Sequence, residues 1–383
     1  MGGNNLLVIT NIFPNEDGSY YQGVFVKEQI KFLKDYFDNV YVISPWPYGY
    51  KMFLKNYSYE NVYVYYPRFI HFPIGYFRRR LGENYYKAIL KVIKRENLKF
   101  KIVHAHFTWP SGYATHILKR THKIPFVVTT HGLHDTRMNF LLKNGAMEVW
   151  KSADAIINVS RKCVKLLMRV GIPEDKLYYI PNGVDTSLFY PQETALIRKE
   201  LNIPIDKKIL ISVGNLVEKK GFEYLIRAMK IILHARDDVL LYIIGEGPLR
   251  KRLENITREL KLEEHVFLVG PKPHRDIPLW INAGDLFVLP SLVENFGVVN
   301  IEALACGKPV ISTINGGSEE VITSEEYGLL CPPRDPECLA EKILMALNKE
   351  WDREKIRKYA EQFDWRNIAR QIFKVYEDVL SNY

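Results

Sequence analysis

Cysteine is scarce in this chain: four in 383 residues, at positions 163, 306, 331 and 338, with no C-x-x-C pair among them. That spacing offers neither a disulfide framework nor a zinc finger, and scattered single thiols suit a reducing, cytoplasmic compartment. No apolar run approaches the roughly 20 residues a helix needs to cross a bilayer. The opening Met1-Gly2-Gly3-Asn4-Asn5 lacks the basic and apolar regions of a secretory signal, and Leu6-Leu7-Val8-Ile9 is short enough to be a first strand. Repeats and low-complexity tracts are absent. No helix-turn-helix, zinc-finger or RNP signature is present, so nucleic acid is the weakest of the partners that a basic chain suggests.

What is present is an ordinary globular composition, 47% hydrophobic and 25% charged, in a chain long enough that two domains are the default. The net charge of +9 is unevenly placed: residues 1–185 carry 26 Lys and Arg against 14 acids, and the remainder is slightly acidic. A basic half of this kind suits anionic lipid or a phosphorylated substrate. Arg78, Arg79 and Arg80 stand beside Phe69, Phe72, Tyr76 and Phe77, a mixture that fits a membrane surface or a plain exposed basic turn.

Short apolar runs alternate with amphipathic stretches, twice over. Leu6–Thr10, Val40–Ser44, Ile102–Ala105, Phe126–Thr130 and Ala155–Val159 read as strands, with helical spacing over Val24–Leu33 and Tyr85–Ile93. A second series follows Pro191: Ile209–Val213, Val239–Ile244, Val266–Val269, Asp285–Pro290 and Pro309–Thr313. This predicts an α/β protein of two doubly wound, Rossmann-like domains, 1–185 and 186–363. The joint falls in the turn-rich Pro181-Asn182-Gly183-Val184-Asp185 through Pro191. An amphipathic helix, Trp365 to Leu380, ends the chain within a last segment, 364–383.

The most informative segment is Glu294-Asn295-Phe296-Gly297-Val298-Val299-Asn300-Ile301-Glu302. Its glycine opens a helix directly after a buried strand, in a βαβ unit whose ligand crevice lies at the carboxyl ends of the strands. Glu294 sits in the loop at that crevice. Glu302 lies about one turn into the helix, and helical side chains lean toward the N-terminus, so it reaches the same place. The helix's free amides offer an anion site. Acceptors for sugar hydroxyls beside a phosphate cradle suggest a nucleotide sugar; taken singly, each glutamate is better read as a solvated helix-end acid.

Other clusters sit at matching points. Val213-Gly214-Asn215-Leu216-Val217-Glu218-Lys219-Lys220-Gly221 follows the first strand of the second domain, where a lysine at a helix entry suits a diphosphate. Thr129-Thr130-His131-Gly132-Leu133-His134-Asp135 follows a strand of the first domain. His131, flanked by Gly132, is the functional candidate there, and His104 reads as a core histidine. The spacings match no zinc pattern, and no metal is expected. Gly23, just before the helix at Val24, permits backbone to approach a ligand or simply makes a turn. Gly316-Gly317 poses the same choice.

Together these residues resemble the retaining glycosyltransferases of family 4, also called group 1, which have the GT-B fold. The likeness spans nearly the whole chain: the E-x7-E element at Glu294 and Glu302, the turn ending Lys220-Gly221, Pro181–Asp185, Gly245-Glu246-Gly247-Pro248, Cys306-Gly307-Lys308-Pro309-Val310 and Thr130-His131-Gly132. The opening from Phe13-Pro14 through Gln29 looks like enzymes that build surface polysaccharides.

The resemblance implies two Rossmann-like domains facing each other across a cleft, with the last helix returning to the N-terminal, acceptor-binding domain. It implies transfer of a hexose from a UDP- or GDP-type sugar to a glycan or lipid-linked acceptor, with no obligatory cofactor. Carried over by position, Lys220 contacts the donor diphosphate and Glu294 the donor sugar, with the amides of Phe296, Gly297 and Val298 beside it. Glu302 holds the ribose, His131 sits by the reacting sugar, and Gly23 approaches the phosphates. Catalysis then falls to His131, Lys220 and Glu294.

One departure stands out. Asn215 occupies the place where the family usually has Arg, and it donates hydrogen bonds without charge, so either Lys219 compensates or leaving-group stabilisation is weaker than usual. The implied setting is cytoplasmic, with possible peripheral contact at an anionic membrane. A glycosidase built on the two glutamates, a GT-B nucleotide-sugar epimerase and a non-catalytic scaffold of a transferase complex are the alternative readings.

Overall fold

The computed structural model describes residues 3–20, 22–49, 54–71, 80–132 and 140–383, with side chains omitted at 140–144. The chain forms two compact units: Met1–Asn182 with Trp365–Tyr383, and Gly183–Asp364. The joint after Asp185 read from the turn residues thus falls at Asn182/Gly183. The Val184 amide donates to the Phe363 carbonyl at 2.8 Å, which ties this stretch to the second unit.

The first unit is built on eight strands: β1 (Asn5–Ile9), β2 (Asn39–Ile43), β3 (Tyr57–Tyr59), β4 (Val62–Tyr65), β5 (Ile102–His106), β6 (Phe126–Thr130), β7 (Ala155–Asn158) and β8 (Leu177–Tyr179). They lie in the order β8-β7-β6-β5-β1-β2-β4-β3, all parallel except the edge pair β3/β4. Along β1, alternate side chains enter opposite cores. Leu6 and Val8 pack with Val26, Ile30 and Leu33 of the helix Val24–Leu33, whereas Leu7 and Ile9 pack with Ile89 and Val92 of the helix Leu81–Arg95. Burial on both faces is why these strands read as unbroken apolar runs.

The C-terminal helix, Trp365–Ser381, belongs to this unit and lends Trp365, Ile368, Ile372, Val375 and Tyr376 to the first of those cores. Its Tyr376 hydroxyl meets His104 Nδ1 at 2.5 Å, and His104 Nε2 meets the Thr129 hydroxyl at 2.6 Å. His104 is the satisfied core histidine its sequence position suggested.

The second unit has one all-parallel sheet of six strands: β9 (Lys208–Val213), β10 (Val239–Ile244), β11 (Val266–Gly270), β12 (Leu286–Leu289), β13 (Val310–Thr313) and β14 (Gly328–Cys331). Their order is β11-β10-β9-β12-β13-β14. Leu210, Leu241, Val288 and Ile311 pack with the helices Phe222–Ala235 and Pro336–Asn348 on one face. Each unit is thus a Rossmann-like α/β domain, as the strand pattern predicted.

Several elements carry weak sequence signals. Strand β4, Val62-Tyr-Val-Tyr, alternates buried valines with exposed or half-buried tyrosines and has no apolar run to announce it. Strand β8, Leu177-Tyr-Tyr, is half-buried throughout.

Tyr376 fixes the last helix through a buried hydrogen bond, so Tyr376→Phe leaves a ring nitrogen of His104 without its partner. The expected cost is about 1–3 kcal/mol, measured by chemical denaturation of the whole protein.

Candidate functional site

In the second unit the chain enters the sheet at β9 and then builds outward in both directions, so strand order reverses between β9 and β12. The crevice at such a switch point, beyond the carboxyl ends of the strands, is where open α/β sheets take ligands. Two loops leave from it, 214–221 after β9 and 290–297 after β12. They are bound to each other through backbone: the Lys219 carbonyl accepts from the Leu292 amide at 2.7 Å. Gly221, at φ +65, abuts the Pro290 carbonyl so closely that a Cβ there would collide with its oxygen. A side chain would also resist that left-handed backbone.

On this joint base Lys220 and Glu294 form an ion pair, Nζ to Oε1 at 2.5 Å. The Ser291 hydroxyl donates to the same Oε1 at 2.7 Å, leaving Oε2 without a donor among the described residues. Both side chains are about 15% exposed (15% and 14%), so the pair is desolvated on most sides and open on one. Removing one partner of such a pair leaves a costly isolated charge.

A third loop buttresses the second. The Asn315 carbonyl accepts from the Glu294 amide at 3.3 Å. Asn315 Oδ1 in turn accepts from the amides of Gly317 and Ser318, at 3.1 and 2.9 Å, which fixes the turn after β13. Gly317 lies flat against the backbone of Glu294 to Phe296, where a Cβ would come within 2.6 Å of the Phe296 amide nitrogen. At Gly317 the glycine accommodates protein backbone rather than a ligand, a role neither reading of Gly316-Gly317 named.

Phe296 is buried edge-on against Phe363 and anchors the loop just before the helix Val298–Ala305. Gly297 caps that helix, with no side-chain cap and no acid in the first turn. Its leading amides are therefore not capped by a side chain. Val298, the first helical residue, is half-buried.

Glu302, one turn further, is buried at 6% exposure, and its Oε1 meets His274 Nε2 at 3.0 Å. The His274 ring packs on buried Phe189. Asn215 and Lys219 complete the first loop with exposed side chains. The structure thus gathers Lys220, Glu294, Phe296, Gly297 and Val298 at one crevice, with Glu302 turned toward His274. Ser291, Asn315 and His274 escaped the sequence reading. Their one signal is position, since each is a polar residue just past the carboxyl end of a strand.

Gly23 and His131 lie in the first unit. Gly23 precedes the helix Val24–Leu33 at φ +84, and a Cβ on it would sit 2.5 Å from the Ile12 carbonyl oxygen. His131 follows β6 and packs its ring against Phe25, of that same helix, at 4.7 Å and against Phe107 at 4.8 Å. Its Nε2 meets His106 Nδ1 at 2.9 Å, with the two rings nearly coplanar at 12°.

Burial pushes His131 down to about 3 and His106 well below the usual imidazole range, the latter helped by its histidine neighbours; both rings are neutral at pH 7. Phe107 holds φ +73 and ψ +141, a backbone state nearly confined to glycine, at a cost of order 1–3 kcal/mol. The described residues contain no group of three His, Cys, Asp or Glu arranged to hold a metal. His134, Asp135, Arg78 and Arg79 lie outside the described residues; Arg80 is exposed. No helix among the described residues is long and apolar enough to cross a membrane.

Known proteins resemble this chain in sequence and fold. Residues 193–363 match the family described as Glycosyl transferases group 1, and residues 22–188 match Glycosyltransferase Family 4. The chain is 30% identical over 297 residues to an uncharacterized glycosyltransferase of Methanocaldococcus jannaschii, covering 73% of this chain and 75% of that protein. It is 29% identical over 357 residues to the putative teichuronic acid biosynthesis glycosyltransferase TuaC of Bacillus subtilis, 88% of each chain. Among solved structures, sucrose-phosphate synthase from Thermosynechococcus elongatus superposes with a TM-score of 0.80 at 24% identity, over 99% of this chain and 100% of that one. Anabaena HepE in complex with UDP-glucose superposes at 0.76 and 20% identity, over 98% and 99%.

The backbone joint between the two loops is open to test. Gly221→Ala should destabilise the protein by about 1–2 kcal/mol from the left-handed backbone alone, and by more from the collision with Pro290. Denaturant unfolding measures the loss, and a neutral result would contradict the packing described.

Proposed function

The chain belongs to the group 1 glycosyltransferases of family 4, and from that premise we propose that it moves a hexose from a UDP- or GDP-type sugar to a glycan or lipid-linked acceptor, with retention at the anomeric carbon. Membership of a transferase family sets aside the glycosidase and epimerase readings. The observation that carries the proposal is the Lys220–Glu294 pair, 2.5 Å apart at the switch point and directly before an uncapped helix start.

In this reading the bond from the anomeric carbon to the diphosphate oxygen breaks, and a bond to the acceptor's hydroxyl oxygen forms on the same face. The acceptor's proton passes to the departing phosphate oxygen. A nucleoside diphosphate is a good leaving group, so the protein's task is to stabilise its growing charge and to position the acceptor. Lys220 and the amides at Phe296, Gly297 and Val298 do the first by fixed electrostatics, and the leaving group needs no metal.

Glu294 serves in two ways. Oε1 holds Lys220 in place, and Oε2 accepts from a hydroxyl of the donor sugar. Glu302, one turn into the helix, takes the ribose hydroxyls. Asn215 and Lys219 flank the diphosphate, with the exposed Lys219 supplying charge that Asn215 lacks. Gly23 approaches the phosphates from the first unit, and His131 contacts the reacting sugar. The named relative in teichuronic acid biosynthesis favours an acceptor used in surface polysaccharide assembly, and the basic first half favours a site of action at an anionic membrane.

Two variants test the assignment. Lys220→Ala should fold, because Ser291 still donates to Glu294, yet lose about 10²–10³ in turnover; transfer at the normal rate would overturn the role. Glu302→Ala should weaken binding of the free nucleoside diphosphate about 10–100-fold, the worth of hydrogen bonds to a charged group. Calorimetry with UDP and with GDP reads that loss, and unchanged affinity for the nucleotide that binds would remove Glu302 from the site.

A further inference from the structure

Glu302 is nearly buried, with 7% of its side chain exposed, yet a single donor among the described residues serves its carboxylate. His274 Nε2 meets Oε1 at 3.0 Å, and Oε2 accepts from no donor among the described residues. An ionised carboxylate only accepts, so the hydrogen in this contact sits on Nε2 and His274 is the donor. The carboxylate's oxygens offer about four lone-pair sites in all, and burial with most of them unused costs free energy. One turn into the helix that follows β12, Glu302 is furnished for donors that the protein itself does not supply.

The donor is braced from two sides. His274 opens the short turn His274–Asp276, which follows β11 and leads into the helix Ile277–Ala283. Its ring packs on the fully buried Phe189, with 5.3 Å between centroids. The stretch after Phe189 is bound to that same helix. Asn282 Nδ2 donates to the Tyr190 carbonyl at 3.0 Å, and the Gln192 amide donates to Asn282 Oδ1 at 3.0 Å. Turn, helix and the Phe189 segment thus close a bracket around the imidazole. A histidine side chain 32% exposed on a loop is free to face water; this one is aimed at Glu302 by its frame.

We propose that His274 is a positioning residue for the nucleotide: its Nε2–H fixes the Glu302 carboxylate so that Oε2 and the remaining lone pair of Oε1 accept from the 2′ and 3′ hydroxyls of a ribonucleoside diphosphate. The inference rests on the reading of Glu302 as the ribose-binding residue. A glutamate side chain is rich in rotamers, and ordering it at the moment of binding costs affinity. With one oxygen already pinned, that cost falls on folding, and the hydroxyls meet an acceptor pair of fixed direction. The consequence is selective: His274 strengthens binding of ligands that carry ribose hydroxyls and adds nothing for those that lack them.

Calorimetry on the whole protein tests this with UDP and GDP and their 2′,3′-dideoxy analogues, taking whichever base binds. The unmutated protein should prefer the ribonucleotide about 10–100-fold. His274→Phe, which keeps a ring and removes the donor, should weaken ribonucleotide binding about tenfold and leave the dideoxy analogue's affinity unchanged. His274→Gln, whose amide nitrogen can stand near the Nε2 position, should restore most of the preference. In a Glu302→Ala background, His274→Phe should have no further effect, because the two residues act as one unit. Full preference in a folded His274→Phe, an equal loss for both nucleotides, or no rescue by a folded His274→Gln overturns the positioning role. Should His274→Phe fail to fold, His274→Leu takes its place with the same expectations. The reading of Glu302 fails by a different result. Unmutated protein that shows no preference or binds neither nucleotide, or Glu302→Ala that keeps the preference, removes Glu302 from the ribose and the role of His274 with it.

Discussion

Burial of a parallel sheet on both faces is the constraint from which the rest of this molecule follows. In β1, β5, β6, β12 and β13 every residue is buried, so the strands offer no surface for chemistry. Polar groups able to meet a ligand are confined to the carboxyl ends, where the chain leaves the sheet. In the second unit that confinement brings Lys220 and Glu294, 74 positions apart in sequence, into a 2.5 Å contact. In the first it brings His131 beside His106 and Phe107.

The two edges solve different electrostatic problems. At the second unit's edge, a lysine and a carboxylate neutralise each other while a helix start lies next to them. The lysine's charge is thus spent on Glu294, while the helix start stays uncapped by any side chain. At the first unit's edge the histidines are desolvated until they are neutral, so the edge supplies hydrogen bonds and no charge. One edge carries a neutralised ion pair beside a helix start, and the other carries neutral imidazoles.

Much of this was legible in the sequence, and the reason is the same burial. Strands with two buried faces announce themselves as apolar runs, and the helices Val24–Leu33 and Phe222–Ala235 are amphipathic enough to read at either end. Glycines marked loop positions, but that Gly221 and Gly317 are pressed on protein backbone was not legible. What escaped was carried by contacts distant in sequence. Nothing near Ser291 announces that it will hold Glu294. His274 reveals its partner Glu302 only once β11 and β12 flank the same edge. The strand β4 was hidden because half of its residues are tyrosines at a sheet margin, where polar and apolar character mix in one side chain.

The Lys219 carbonyl bonded to the Leu292 amide, with Gly221 wedged on Pro290, has a consequence for how this protein can change. Loops 214–221 and 290–297 are one mechanical piece despite arising from different strands. A length change or a bulkier residue in either displaces the other, so substitutions that reshape this crevice have to be drawn from both loops together. For engineering or divergence, the unit of variation here is the pair.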